Sequence, residues 1–270
     1  MEKRGLTMKK FYSVFMLVVL VMSILVACGT SNPSTSGSEE QAETEEKKVL
    51  VMGTSADFPP FEYIDTAKSE EIIGFDVDII HALAEKLGYE VEIKDMDFSG
   101  LIAALQAGKV DFVMSGMAPT EERKQNVDFT DSYYRSDLVL LFEEDSKITS
   151  ADDLSGKVLG TQVNSFQEEV AKELNGTVDF TLETRDRTPD LIQELKSKRF
   201  DAVIMEEAVA IGYMSTNDNL KTISVPNGET PGTAIAFPKG SELTEEFNTA
   251  LKEMMDSGEI DELVVKWFVE

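Results

Sequence analysis

One cysteine and one histidine are all that 270 residues contain of the side chains that most metal and nucleophile chemistry needs. A lone Cys28 excludes an intramolecular disulfide and a cysteine metal cluster. A lone His81, set opposite the apolar stripe of its helix, reads as a surface residue. Together they exclude a histidine pair, a zinc centre or a His-based triad, so neither a metal nor a catalytic residue is expected. Basic residues are also few: 25 Lys and Arg stand against 51 Asp and Glu, a net charge of −26. That balance speaks against nucleic acid and against anionic membrane faces as partners, and for solubility. Gly116 and Gly160 sit at strand ends without GxGxxG or phosphate-loop spacing, so no nucleotide cofactor is expected. Only one long apolar run occurs, Phe11 to Ala27, short for a bilayer span and broken by Ser13 and Ser23.

That run follows Lys3, Arg4, Lys9 and Lys10, so residues 1–28 read as an export signal. Its end, Leu25-Val26-Ala27-Cys28, resembles the lipobox of bacterial lipoproteins, which implies lipidation of Cys28 and attachment to the outer face of a membrane. Buried acyl chain would anchor the protein at about 0.8 kcal/mol per methylene. Residues 29–47, with the run SNPSTSGSEEQAETEE at Ser31–Glu46, form a polar linker unable to build a core.

Beyond it, 42% hydrophobic residues are enough for one large or two small cores. Lys48–Gly53 predicts a strand, and Pro59-Pro60 holds the following loop open. Phe75, Ile79, Leu83 and Leu87 recur at helical spacing, with Asp76 placed to cap, Phe75 and Ile80 to staple, and Gly88 to stop. A strand at Val91–Ile93, a helix capped by Ser99 and a strand at Val110–Met114 complete β-α-β-α-β, the mark of a mainly parallel sheet. The pattern then repeats. Strands are expected at 138–142, 157–161, 178–182, 201–205, 220–225 and 233–237. Ser165 and Glu168 form a capping box, Thr188-Pro189 opens a helix, and two amphipathic helices close the chain at 241–257 and 259–268. The result is an α/β chain of two lobes, each near usual domain size.

The stretch Val110–Tyr134 carries the chemistry. A strand end passes through Ser115-Gly116-Met117-Ala118 into a short helical turn with Thr120 as its cap and Arg123 upon it. Exposed amides beside a fixed guanidinium suit a carboxylate.

GTSADFPPFEY, IGFDVDI, MDFSGLIAALQAGKVD, SGMAPTEERKQNVDFTDSYY and RFDAVIMEEAVA together resemble the substrate-binding proteins of polar amino-acid ABC transporters, the arginine and basic amino-acid binders above all. The resemblance implies a type II periplasmic-binding-protein fold of two lobes joined by two crossing hinge strands. The first lobe would be 48–137 plus 232–270 and the second 138–224, with 225–231 as a hinge connection. It implies a site of Ser55, Phe58, Phe98, Ser115, Gly116, Ala118, Arg123, Gln162, Ser165, Phe166 and Glu206. In it Arg123 and amides near Ala118 and Ser165 would hold the α-carboxylate, Phe58 and Phe98 the side chain, and Glu206 the α-ammonium. Asp57, Glu62 and Asp97 are nearby acids available to a cationic side chain. Three departures are visible: Glu206 where relatives carry Asp, Ala118 where they carry Thr or Ser, and Asn164 where Gly is common.

The implied function is capture of a polar amino acid, arginine or another basic one foremost, by hinge closure and delivery to a membrane permease. A monomer is expected. Glutamine, histidine and cystine stay open as ligands. So do a sensor feeding a membrane kinase and a dehydratase-type enzyme on the same fold, although no spacing singles out a catalytic pair.

Overall fold

The computed structural model describes residues 47–226 and 230–269. The lipobox Cys28, the export signal and all of the linker but Lys47 lie outside them, as do three residues of the 225–231 connection.

β1 (Lys48–Thr54) leads into two short strands, β2 (Asp57–Phe58) and β3 (Glu62–Ile64), which pair with β4 (Ile72–Ile73) in a small antiparallel sheet. Helix α1 (Phe75–Leu87) forms at the expected periodicity, with Phe75, Ile79, Ile80 and Leu83 fully buried. Burying each such side chain contributes roughly 1.5–3 kcal/mol. Gly88 ends α1 in the left-handed conformation, as its missing Cβ permits. Its start differs from expectation. Gly74 is the cap, and the first amides of α1 donate to the Pro60 and Phe61 carbonyls at 2.9 Å. Asp76 is therefore free of capping duty, and it is wholly buried.

β5 (Tyr89–Asp95) follows, then a tight turn over Phe98–Gly100 and α2 (Leu101–Gln106). Ser99 does not cap this helix; its hydroxyl donates to Asp186, and the α2 cap position belongs to Gly100. β6 is shorter than expected, Phe112–Val113 only. α3 (Glu121–Lys124) is a single turn whose cap is Thr120, its hydroxyl accepting from the Arg123 amide at 3.4 Å. β7 (Val127–Phe129) closes this part of the chain.

The second lobe runs β8 (Leu138–Glu143), β9 (Val158–Gln162), α4 (Phe166–Asn175), β10 (Thr181–Arg185), α5 (Thr188–Lys196), β11 (Ala202–Glu206), α6 (Glu207–Met214) and β12 (Leu220–Ser224). The expected strand at 178–182 thus begins three residues later. At α4 only half of the capping box forms. Ser165 Oγ accepts from the Glu168 amide, while the Glu168 carboxylate reaches the Asn164 amide instead of that of Ser165. Arg187 caps α5, and Thr188 and Pro189 lie within its first turn.

The chain then returns: β13 (Ala236–Pro238), α7 (Glu242–Ser257) and α8 (Glu259–Val264), the last running on through a wider turn to Val269. β13 enters the first sheet, whose order is β5-β1-β6-β13-β7, with β5, β1 and β6 parallel and β13 antiparallel to both neighbours. The second sheet is β10-β9-β11-β8-β12, parallel at one end and antiparallel at the other. Each sheet is covered by its own helices. Phe112, Phe237 and Phe247 meet between the first sheet and α7 with ring centres 5.2–5.8 Å apart. Leu138, Leu140, Leu159 and Ala202 fill the core of the second lobe.

The two passages between lobes lie side by side: Tyr134 and Thr233 form an antiparallel bridge, with the Thr233 amide donating to the Tyr134 carbonyl at 2.9 Å. Among the described residues, no helix is long and apolar enough to cross a membrane.

Candidate functional site

The strand ends of both sheets face one narrow cleft. It is lined on the first lobe by Ser55, Phe58, Glu62, Phe98, Ser115, Gly116, Ala118 and Arg123, and on the second by Gln162, Phe166, Gln167 and Glu206. Ten of the eleven expected residues are brought together there. Ser165 is the exception: it sits in a neighbouring groove, its hydroxyl donating to the Gln162 carbonyl and accepting from Glu168.

Arg123 is the cation of the cleft. Its Nη1 donates to the Ala118 carbonyl at 2.7 Å, its Nη2 crosses to the Asn164 carbonyl of the second lobe at 2.7 Å, and its guanidinium lies 5.4 Å from the Phe98 ring centre. The fork is thus fixed by two carbonyls and a π face, with donors left over for a ligand. Burial lowers its pKa to about 10, which leaves it charged at neutral pH. Asn164 holds φ at 57°, the left-handed conformation. Asn tolerates it better than other side chains that carry a Cβ.

Glu206 ends β11 and is buried, its carboxylate in contact with the Gln167 amide group. Burial pushes its pKa up to about 7, against the opposing pull of Gln167 and of Arg123. Ser55 is buried and its hydroxyl has no partner among the described residues, leaving a polar atom within the lining. Gly116 has φ 49°, and a Cβ there would come within 3.0 Å of the Phe58 ring. Both its backbone and the aromatic wall therefore require glycine.

Glu62 and Gln167 complete the lining and were not in the expected site. Glu62 was expected as one of the nearby acids available to a cationic side chain; Gln167 had no signal beyond following Phe166. Glu62 is fully buried and accepts from Ser115 Oγ at 2.7 Å; burial, and then the nearby Asp76, raise its pKa well above the carboxylate range.

The other two acids offered to a cationic side chain lie outside the lining and face Arg187, Asp97 through a hydrogen bond and Asp57 without one. Arg187, from the second lobe, donates through Nε to Asp97 at 2.7 Å and through Nη1 to Asp95 at 2.8 Å, and stands 3.5 Å from Asp57. Asp57 and Asp97 thus join the lobes. Ser99 Oγ donating to Asp186 at 2.8 Å and Tyr213 OH donating to the Asp57 carbonyl at 3.3 Å add to the same seam. Among the described residues, no group of three His, Cys, Asp or Glu side chains is arranged to hold a metal ion.

Two lobes, a paired crossing and a charged cleft between strand ends define a hinged solute-binding protein of type II periplasmic architecture. The chain belongs to the bacterial extracellular solute-binding proteins, family 3, whose profile matches residues 50–270. It is 49% identical to the arginine-binding extracellular protein ArtP of Bacillus subtilis, over 97% of this chain and 98% of that one. Among solved structures, it resembles the substrate-binding protein of an amino acid ABC transporter at 45% identity and TM-score 0.78, covering 82% of this chain and all of that one. An ancestral arginine-binding protein bound to arginine is similar at 39% identity and TM-score 0.77, over 82% and 99%. These relatives are binding proteins.

Proposed function

We propose that this protein is the extracellular substrate-binding component of an ABC importer, that it captures a basic L-amino acid, arginine foremost, and that it does so without converting it. One observation carries the choice of ligand. The charged side chains lining the cleft are one guanidinium, Arg123, and two buried carboxyls, Glu62 and Glu206. Their complement is one carboxylate and two cations, which is the charge pattern of a basic amino acid.

Arg123 receives the α-carboxylate, as a planar fork suits. Glu206, from the opposite lobe, takes the α-ammonium. Phe58 and Phe98 flank the side chain, whose terminal cation meets Glu62; ring faces favour a guanidinium or ammonium. Ser55, Ser115, Gly116 and Ala118 of the first lobe and Gln162 and Phe166 of the second complete the contacts, with Ser165 holding the loop beneath Asn164. Three charge-assisted contacts at roughly 1.5–3 kcal/mol each, with buried side-chain area, reach the roughly −8 kcal/mol of a micromolar complex. The ligand touches both lobes, so it biases the hinge toward closure. The closed form then docks on the permease, while Cys28, lipidated, keeps the protein at the membrane.

A thermal-shift screen against the L-amino acids tests this, because a ligand of the native state raises its melting temperature. Arginine is expected to give the largest shift; no shift with any of them would sink the proposal.

A further inference from the structure

Behind the cleft wall, a second carboxyl outside the lining is held by Gly116, next in the chain to the Ser115 that holds Glu62. Asp76, on α1, is fully buried and its two oxygens are occupied: Oδ1 accepts from Tyr133 OH at 2.9 Å and Oδ2 from the Gly116 amide at 2.9 Å. Both partners donate, so Asp76 is built as an acceptor. Glu62 is built differently. The Ser55 amide donates to Ser115 Oγ at 2.9 Å, which directs the Ser115 proton onto Glu62 Oε1 at 2.7 Å. The other oxygen, Oε2, is buried and has no donor among the described residues. Two carboxyls so placed, in a dry interior, do not both ionise.

We propose that Glu62 and Asp76 hold one proton between them in the ligand-free cleft, seated on Glu62 Oε2. A cationic ligand side chain displaces that proton to solvent, whereas a neutral one leaves it in place, so that pH selects between cationic and neutral amino acids.

The inference rests on the proposed function, and deepens it. In the step itself, the Glu62 O–H bond breaks, the proton passes to water or buffer, and the ligand cation takes its place beside the carboxylate. Of the remaining groups around Glu62, Asp57 adds a further negative charge from β2 and Tyr133 is a phenol bound to Asp76, while the hydrogen bond from Ser115 favours ionisation and is outweighed by burial and by Asp76. Arg123 and Glu206 line the same cleft, but Arg123 is held by the Ala118 and Asn164 carbonyls. Burial moves both members of the pair upward, Asp76 to about 6 and Glu62 well above the carboxylate range. With protonated Oε2 as a donor, the site meets an amide or ureido oxygen; with both oxygens bare, it meets a guanidinium.

Isothermal calorimetry on the full-length protein in detergent, in buffers of different ionisation heat near pH 7, tests the idea with L-arginine and L-citrulline. These ligands share the α-groups and differ in side-chain charge, so any proton exchanged at Glu206 is common to both. Arginine is expected to release about one proton more than citrulline. Its affinity relative to citrulline should fall up to about tenfold per pH unit on acidification. Asp76→Asn, which removes the like charge, is expected to shrink the extra release. Equal proton counts for the two ligands would overturn the inference while leaving amino-acid capture intact. Should citrulline fail to bind, a proton count for arginine unchanged by Asp76→Asn overturns it instead. Should that variant fail to fold, the infrared band of a protonated carboxyl decides. Its loss on adding arginine to the wild type, with retention of a smaller loss in Glu62→Gln, supports the shared proton, and an identical loss in both refutes it. Absence of heat with every L-amino acid would remove the proposed function and this inference together.

Discussion

Outside the cleft lining, Arg187 Nε of the second lobe stands 2.7 Å from the Asp97 carboxylate of the first. The same guanidinium contacts Asp95 at 2.8 Å, so one second-lobe side chain holds two acids, one at the end of β5 and one in the loop after it. These bonds lie outside the ligand contacts, and they favour closure whether or not the cleft is filled. Arg187→Ala is expected to shift the ligand-free protein toward an open form, visible as a larger radius of gyration in solution scattering. Partly exposed pairs contribute up to about 1 kcal/mol each, so ligand affinity should weaken by roughly three- to thirtyfold. An unchanged radius and unchanged affinity would show that the seam does not bias the hinge.

Arg123 presents its fork while tied to the Ala118 and Asn164 carbonyls. Arg123→Ala removes the carboxylate anchor and one interlobe bond at once. At about 1.5–3 kcal/mol per charge-assisted bond, a loss of two decades or more in affinity is expected by calorimetry. Arg123→Lys keeps the charge but not the fork and should recover only part. Normal binding by the alanine variant would refute the assigned anchor.

Gly116→Ala places a Cβ 3.0 Å from the Phe58 ring on a backbone with φ 49°. Left-handed strain alone costs about 1–2 kcal/mol, and the Phe58 ring must give way to the new methyl. A lower melting temperature together with weakened ligand binding is expected. A drop in stability without loss of affinity would show that Phe58 is not a wall of the site.

Buried acids set the pH dependence of the ligand-free fold. Glu206 and Asp57 are both raised to about 7 and Asp76 to about 6, each chiefly by burial. Between the unfolded carboxylate pKa near 4 and those folded values, the native state holds more protons than the unfolded one, so stability falls as pH rises. Its contribution is complete below the unfolded pKa and is lost as pH climbs through about 7. Melting temperature of the ligand-free protein is therefore expected to decline from about pH 5 to pH 7.5. Glu206→Gln should flatten part of that slope, by on the order of 3 kcal/mol at most. A melting temperature that instead rises through this window, in wild type and variant alike, would contradict the assigned shifts.

The periodicity of Phe75, Ile79 and Leu83 was enough to place α1, because one helix face meets one core and the signal is local. Asp76 shows where such reading fails. A carboxylate at a helix start looks like a cap, yet the carbonyls of Pro60 and Phe61 already accept the first amides, and Asp76 turns inward to Gly116 and Tyr133. Ser99 misleads in the same way, since its partner Asp186 lies in the other lobe. Arg123, Phe58 and Phe98 reach the cleft where family resemblance put them, though the spacing of an E-E-R-K turn alone gave no such direction. Asp57 and Asp97 were legible as acids near the site but not as partners of Arg187, about ninety or more residues downstream, because no local pattern encodes a contact between residues so far apart in the chain.

The position of β13 carries a consequence for how the molecule comes into being. Ala236–Pro238 separates β6 from β7 in the first sheet, although all five strands of the second lobe lie between β7 and β13 in the chain. Until the residues near the carboxyl end arrive, β6 and β7 face each other across a missing strand, with open edges ready to pair with a stranger. The second lobe, by contrast, draws all five of its strands from one continuous stretch. Assembly therefore has an order written into its threading: the lobe begun first is finished last, and a chain cut short before Ala236 keeps a nearly whole second lobe beside a first that cannot close its sheet.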